Sequence, residues 1–97
     1  RAVGPSLAPL GVTDPLPDPT FTVHHGNVTI AANDNWADAG AAALATAFSR
    51  VGAFDFLSPT TRDAAMVLRL DPGVYSMVAR SVDGSPGTVL LEVYDIQ

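Results

Sequence analysis

Apolar residues recur along this chain with three different spacings, and each implies a different element. Phe21, Val23 and His25 alternate with Thr22 and His24, and after Gly26-Asn27 the alternation resumes as Val28, Ile30 and Ala32 against Thr29 and Ala31. A period of two is that of a strand, and a Gly-Asn pair between two such runs supplies the positive φ angles of a tight turn, so a β-hairpin is expected here. From Ala37 to Arg50 the spacing changes: Leu44, Phe48 and Val51 fall at i, i+4 and i+7 within an Ala-rich run. Alanine is the best helix former, so this run is expected to be a helix that docks on a sheet by one narrow stripe. Asp34 or Asn35 is placed to cap its start, and Gly52 stands where it would stop.

Beyond a loop covering residues 51–62, strand signals dominate. Ala64, Met66, Leu68 and Leu70 alternate with Ala65, Val67 and Arg69; Asp71-Pro72-Gly73 reads as a turn, Val74–Val82 as a strand, Asp83–Gly87 as a turn and Thr88–Ile96 as the last strand. Local reading joins these three into an antiparallel meander. Residues 1–20 carry five of the eight prolines. Proline gives no ladder donor and biases its predecessor toward extended backbone, so this segment is expected to be an extended arm, with Ala2–Leu7 as an edge strand. Residues 1–97 are then expected to form a mostly β domain, a jelly-roll-like antiparallel β-sandwich with one Ala-rich helix in a connection.

The last two strands are apolar on both faces. Tyr75, Met77 and Ala79 oppose Val74, Val78 and Val82, and Val89, Leu91 and Val93 oppose Leu90, Tyr94 and Ile96. An antiparallel sheet with one wet face should alternate cleanly between apolar and polar residues. Either the chain's own helix and arm cover the second face or another subunit does, which makes Leu90, Tyr94 and Ile96 a candidate self-association face.

Composition narrows the function. Ten acidic residues face five arginines with no lysine, for a net charge of -5, so the Lys/Arg fields that nucleic acids and anionic membranes require are missing. No apolar stretch approaches the ~18 residues of a membrane span. The absence of cysteine excludes disulfides, zinc-thiolate sites and thiol catalysis. A chain that begins at Arg1 reads as a processed product or a piece of something longer.

Three groups carry candidate chemistry. Asn33, Asp34 and Asn35, with Asp38 one turn on, present the clustered oxygen ligands that calcium takes, although a turn and helix cap would account for the same residues without an ion. Trp36 could stack on a sugar ring or a partner peptide if exposed, or anchor the helix start if buried. His24 and His25 are consecutive on a strand and point to opposite faces, so one is expected inside and one outside, and they cannot chelate one metal together. No nucleophile elbow or acid pair stands at a diagnostic spacing, so no enzyme activity is expected.

RAVGPSLAPLGVTDPLPDP, IAANDNW and LDPGVYSMVARSVDGSPGTVLLEVYDI resemble, over nearly the whole chain, the tandem repeat of large secreted or cell-surface proteins of environmental bacteria of the verrucomicrobial and planctomycete type. More distantly, NDNW and PGVYSMVAR resemble the bacterial pre-peptidase C-terminal domain, a β-sandwich appended to secreted enzymes. The first likeness implies an extracellular, non-enzymatic structural protein that associates with copies of itself by edge-strand pairing, as a fibre or surface subunit. It also implies a strand ahead of RAVGPSL that this chain lacks. The second likeness implies a calcium-dependent carbohydrate- or matrix-binding module, with Asn33, Asp34 and Asn35 near the ion.

Overall fold

The computed structural model describes residues 1–96. Its elements are β1 (Ala2–Val3), a 3-10 helix (Pro5–Leu10), β2 (Pro19–His25), β3 (Val28–Asn33), a 3-10 turn (Trp36–Ala39), α1 (Ala41–Val51), β4 (Ser76–Ser81) and β5 (Leu90–Leu91). They form two antiparallel sheets, one of two strands in the order β1-β5 and one of three in the order β3-β2-β4, with a single α-helix. The fold is mostly β.

The hairpin forms where the alternation placed it. β2 and β3 pair from Phe21 opposite Asn33 to His25 opposite Val28, with a register shift between Val23 and His24. Only Gly26 of the Gly-Asn pair takes a positive φ, at 60°. Phe21 and Val23 point into the core, while Thr22 and His24 face the other way. His24 is held there by Thr22 Oγ1 at 2.7 Å and Thr29 Oγ1 at 3.2 Å. His25 is exposed and lies against Tyr75, with ring centroids 5.0 Å apart. Neither histidine packs inside as expected, because the shift after Val23 leaves both among polar or surface neighbours.

Residues 1–20 are not an extended arm. Ala2 and Val3 are fully buried, and β1 is flanked on both sides: by β5, with Ala2 opposite Leu91 and Val3 opposite Leu90, and by a bridge from Ala2 to Ala64. After Gly4 the chain turns into the 3-10 helix rather than extending to Leu7 as an edge strand. Pro5 suits that first helical position, where its missing N–H has no intrahelical partner to lose. Gly4 has no room for a side chain, since a Cβ there would meet the Leu16 carbonyl oxygen at 2.1 Å. Asp63 fixes the turn. Its carboxylate, fully buried, accepts from Gly4 N–H (2.8 Å), Ser6 N–H (3.1 Å), Ser6 Oγ (2.5 Å) and Thr61 Oγ1 (2.6 Å).

The helix starts later than its alanine content suggested. Trp36–Ala39 make a 3-10 turn, Gly40 enters the left-handed region at φ 96°, and α1 begins at Ala41. Asn35 precedes the turn without a side-chain capping bond, so the Asn/Asp group is not a side-chain cap. Gly52 ends α1 at φ 70°, and its backbone N–H reaches back to Ser49.

The expected meander is replaced by long-range pairing. β4 pairs with the free edge of β2, from Pro19 opposite Ser81 to His24 opposite Ser76, and β5 pairs with β1. Residues 65–70 lie in no strand ladder. Asp83 accepts from Ser81 Oγ and Ser85 N–H and turns the chain away from β4. Thr88 is then caught between Asp14 and Leu16, its N–H donating to the Asp14 carbonyl and its own carbonyl accepting from Leu16 N–H, each at 2.7 Å.

Two apolar clusters meet on β1. Ala2 and Ala64 pack with Phe21 and Val23 of β2, while Val3 and Ala65 pack with Trp36, Leu44, Phe48 and Phe56. Successive strand residues point to opposite faces, so β1 is buried on both. Asp63 stands beside this junction. Replacing Asp63 by Ala leaves four donors without their acceptor and is expected to cost roughly 3–5 kcal/mol, a large part of the ~5–15 kcal/mol typical of a whole domain. Thr61→Ala, which removes one of the four bonds, is expected to cost about 1 kcal/mol. Urea unfolding midpoints of the two variants check this ranking.

Candidate functional site

An open apolar cleft of about 470 Å³ lies between the sheet and the helix. It is lined by Phe21 and Val23 of β2, by Ala47, Phe48 and Val51 of α1, and by residues of the runs 66–70 and 92–96. Its rim is open and apolar: Val67, Leu70 and Val93 line it and are exposed, Val93 by 81%. The helix covers the β1 side of the core but leaves this rim bare.

Arg1, Glu92 and Tyr94 give the cleft a polar patch. The Arg1 guanidinium, only 6% exposed with the rest of its residue, lies over the rings of Phe54, Phe48 and Phe56 at 4.4, 4.5 and 4.6 Å from their centroids. A cation held against aromatic faces out of water gains about 2 kcal/mol. Its Nη1 donates to the Phe54 carbonyl at 2.7 Å, and its Nε donates to Glu92 Oε1 at 2.9 Å, completing a two-point ion pair with Nη2 at 2.9 Å. The other Glu92 oxygen accepts from the Tyr94 hydroxyl at 2.6 Å. Donation to Glu92, with partial burial, pushes the Tyr94 phenol above its ordinary value, so it keeps its proton and the bond. Glu92 is thereby committed to both Arg1 and Tyr94, while Arg1 Nη2 meets Glu92 in the ion pair alone.

Of the expected association face, Tyr94 and Ile96 line the cleft, while Leu90 sits in β5 opposite Val3 and is 40% exposed. Trp36 is inside: its ring stacks on Phe48 at 5.6 Å and meets Phe56 edge-on at 5.0 Å, so it anchors the turn before α1 and offers no ring to a sugar.

The Asn33 amide oxygen accepts from Ala65 N–H at 2.9 Å and its nitrogen donates to the Asn35 carbonyl at 3.1 Å, so this side chain ties the hairpin to the segment after Asp63. Among the described residues, no group of three or more His, Cys, Asp or Glu is placed to hold a metal ion.

Asp34 instead meets Asp18, which the sequence reading passed over. Asp18 precedes β2 and Asp34 follows β3, and the antiparallel pairing brings these ends together. Asp18 is buried and pairs through its outer oxygen with Arg62 at 3.5 Å. Burial, the hydrogen bond with Asp18, and the negative charges of Asp18 and Asp38 raise the Asp34 carboxyl above its ordinary value, against the opposing effect of Arg62. No local motif marks this pair, since its members stand sixteen positions apart and only the hairpin register joins them. The chain matches no family model, no curated protein and no solved structure.

The Asp34 shift has a definite sign in stability. A carboxyl that holds its proton more tightly when folded contributes stability fully below its ordinary value of 3.8, and loses it as pH rises through the folded value. Asp34→Asn is therefore expected to be more stable than the parent at pH 7, with the gain shrinking toward zero near pH 3. Urea midpoints of both proteins across that range test it.

Proposed function

We propose that this chain is a non-enzymatic structural domain that works by associating with other copies of itself. The observation that carries the reading is the apolar rim of the cleft, where Val67, Leu70 and Val93 stand in water beside an apolar floor. Contiguous exposed apolar surface on a folded domain marks an interaction site, and burial of about 25 cal/mol per Å² drives its cover. The occupant proposed for the rim is a second copy. The sheet supports this, because β3 and β4 are both edge strands and β3 carries exposed Val28 and Ile30 with no lysine to discourage pairing. A jelly-roll-like sandwich is the architecture to which we assign the two sheets.

The commitment of Glu92 to Arg1 and Tyr94 leaves apolar side chains as most of the surface that the cleft offers, which supports an adhesive role. The bacterial cell-surface setting rests on the resemblance of the RAVGPSL, NDNW and PGVYSMVAR segments alone. A calcium-dependent carbohydrate- or matrix-binding role is less well served, since Trp36 is buried and the Asn33 amide is committed to Ala65 and Asn35.

Sedimentation velocity from micromolar to millimolar protein is expected to show a rising average mass. Val67→Asp with Val93→Asp, both at exposed rim positions where a charge costs the free domain little, is expected to weaken association about tenfold or more. A parent protein that stays monomeric throughout would overturn the reading.

A further inference from the structure

We propose that Asp18 and Asp34 form a latch worked by a single proton: in acid, one proton shared between their carboxyls clamps the turn after β3 to the base of the hairpin, and its loss toward neutral pH releases that turn. Two unsatisfied oxygens lead to it. Asp18 Oδ1 and Asp34 Oδ1 are both shut off from water, and among the described residues neither meets a donor. The two side chains lie within hydrogen-bonding reach of each other, and a bond between two carboxyls needs a proton on one of them. A bond of that kind, from O–H to carboxylate, is short and about twice as strong as one between neutral groups. Without the proton, two acceptors that have given up water face each other with like charge, an arrangement that a carboxyl pair resists.

The two halves of the latch differ in freedom. Asp18 is the fixed half: it is buried, its backbone carbonyl accepts from Val82 N–H at 3.0 Å, and its outer oxygen pairs with Arg62. Asp34 is the movable half. It is only partly buried, which leaves its proton a path to water, and it leads into the 3-10 turn. Trp36 is anchored there by its buried ring and by its N–H on the Asp63 carbonyl. Residues 37–40 beyond it are exposed, and bonds from Asp38 N–H to the Asn35 carbonyl at 3.0 Å and from Gly40 N–H to the Ala37 carbonyl at 3.2 Å close the turn. The charged groups that act on Asp34 are Asp18 from before β2, Asp38 from within the turn and Arg62 from the loop ahead of residue 64. An ionised Asp34 therefore stands among two carboxylates and one guanidinium, and one of the carboxylates it repels belongs to the turn itself. Loss of the proton loosens residues 37–40 while Trp36 and the hairpin hold. None of these four groups lines the cleft, so the latch stands apart from self-association.

Amide hydrogen exchange followed by NMR on the 97-residue chain tests the latch, with protection factors corrected for the intrinsic pH dependence of exchange. Between acid and neutral pH, protection at Asp38 and Gly40 is expected to fall tenfold or more along the titration of Asp34, while the β2–β3 ladder keeps its own. Asp34→Asn gives Asp18 a permanent N–H donor and is expected to keep the acid-state protection at pH 7. Asp18→Asn supplies the same donor from the other side and is expected to do likewise. The double variant is expected to gain no more than either single one, because one donor already fills the gap and the two effects cannot add. Flat protection in the parent, a fall that persists in Asp34→Asn, or single-variant effects that add would each overturn the proposal. So would a loss of protection throughout the hairpin, which marks global unfolding, or a recovery at pH 7 on adding millimolar calcium, which would make the occupant of the gap a metal ion.

Discussion

A single carboxylate without access to water organises this fold. Asp63 accepts four hydrogen bonds through its side chain, and its backbone carbonyl takes a fifth from Trp36 N–H at 3.0 Å. Ser6, which donates to it, accepts in turn from Leu57 N–H at 2.9 Å. Three stretches remote in sequence, the turn after β1, the loop before residue 64 and the start of the helical region, are thereby fixed to one atom group. A buried charge is tolerated only when such donors are complete, so each of these stretches must be in place before the others gain by it. The result positions Ala64 against Ala2, and through β1 it positions the two apolar clusters against each other.

The sequence was informative where structure depends on neighbours in the chain. The β2–β3 hairpin needed only alternation and a glycine at the turn, and the stripe of Leu44 and Phe48 needed only a period near four; both are present, with Leu44 and Phe48 buried as the stripe implied. It was uninformative where an edge must choose its partner. Val74–Val82 and Thr88–Ile96 read as consecutive hairpin strands, yet β4 pairs with β2 and β5 with β1. Strand pattern specifies which face is buried but not which backbone lies alongside, and the bonds linking Thr88 to Asp14 and Leu16 settle a choice that the apolar pattern leaves open.

The candidate site divides the same way. Tyr94 and Ile96 were legible from two-sided apolarity, and both line the cleft. The Asn33–Asn35 group drew attention as clustered oxygens, but its use is structural at Asn33 and electrostatic at Asp34, in both cases through partners outside the motif: Ala65 for the first, Asp18 for the second. Arg1 was counted only as a charge. Its burial against three phenylalanines follows from the meeting of β1 with the loop that carries Phe54 and Phe56, which no periodicity encodes.

That burial bears on the meaning of a chain only 15% charged. Arg1, Asp18 and Asp63 are inside, and Glu92 is spent on Arg1 and Tyr94, so several of the few ionic groups work inward as clamps rather than outward as solvating charge. The surface is accordingly poorer in charge than the composition implies, while Val67, Val74 and Val93 remain in water. Moving charge inward fixes β1 between its neighbours, and the apolar side chains that the composition leaves over stand along the cleft and on its rim instead.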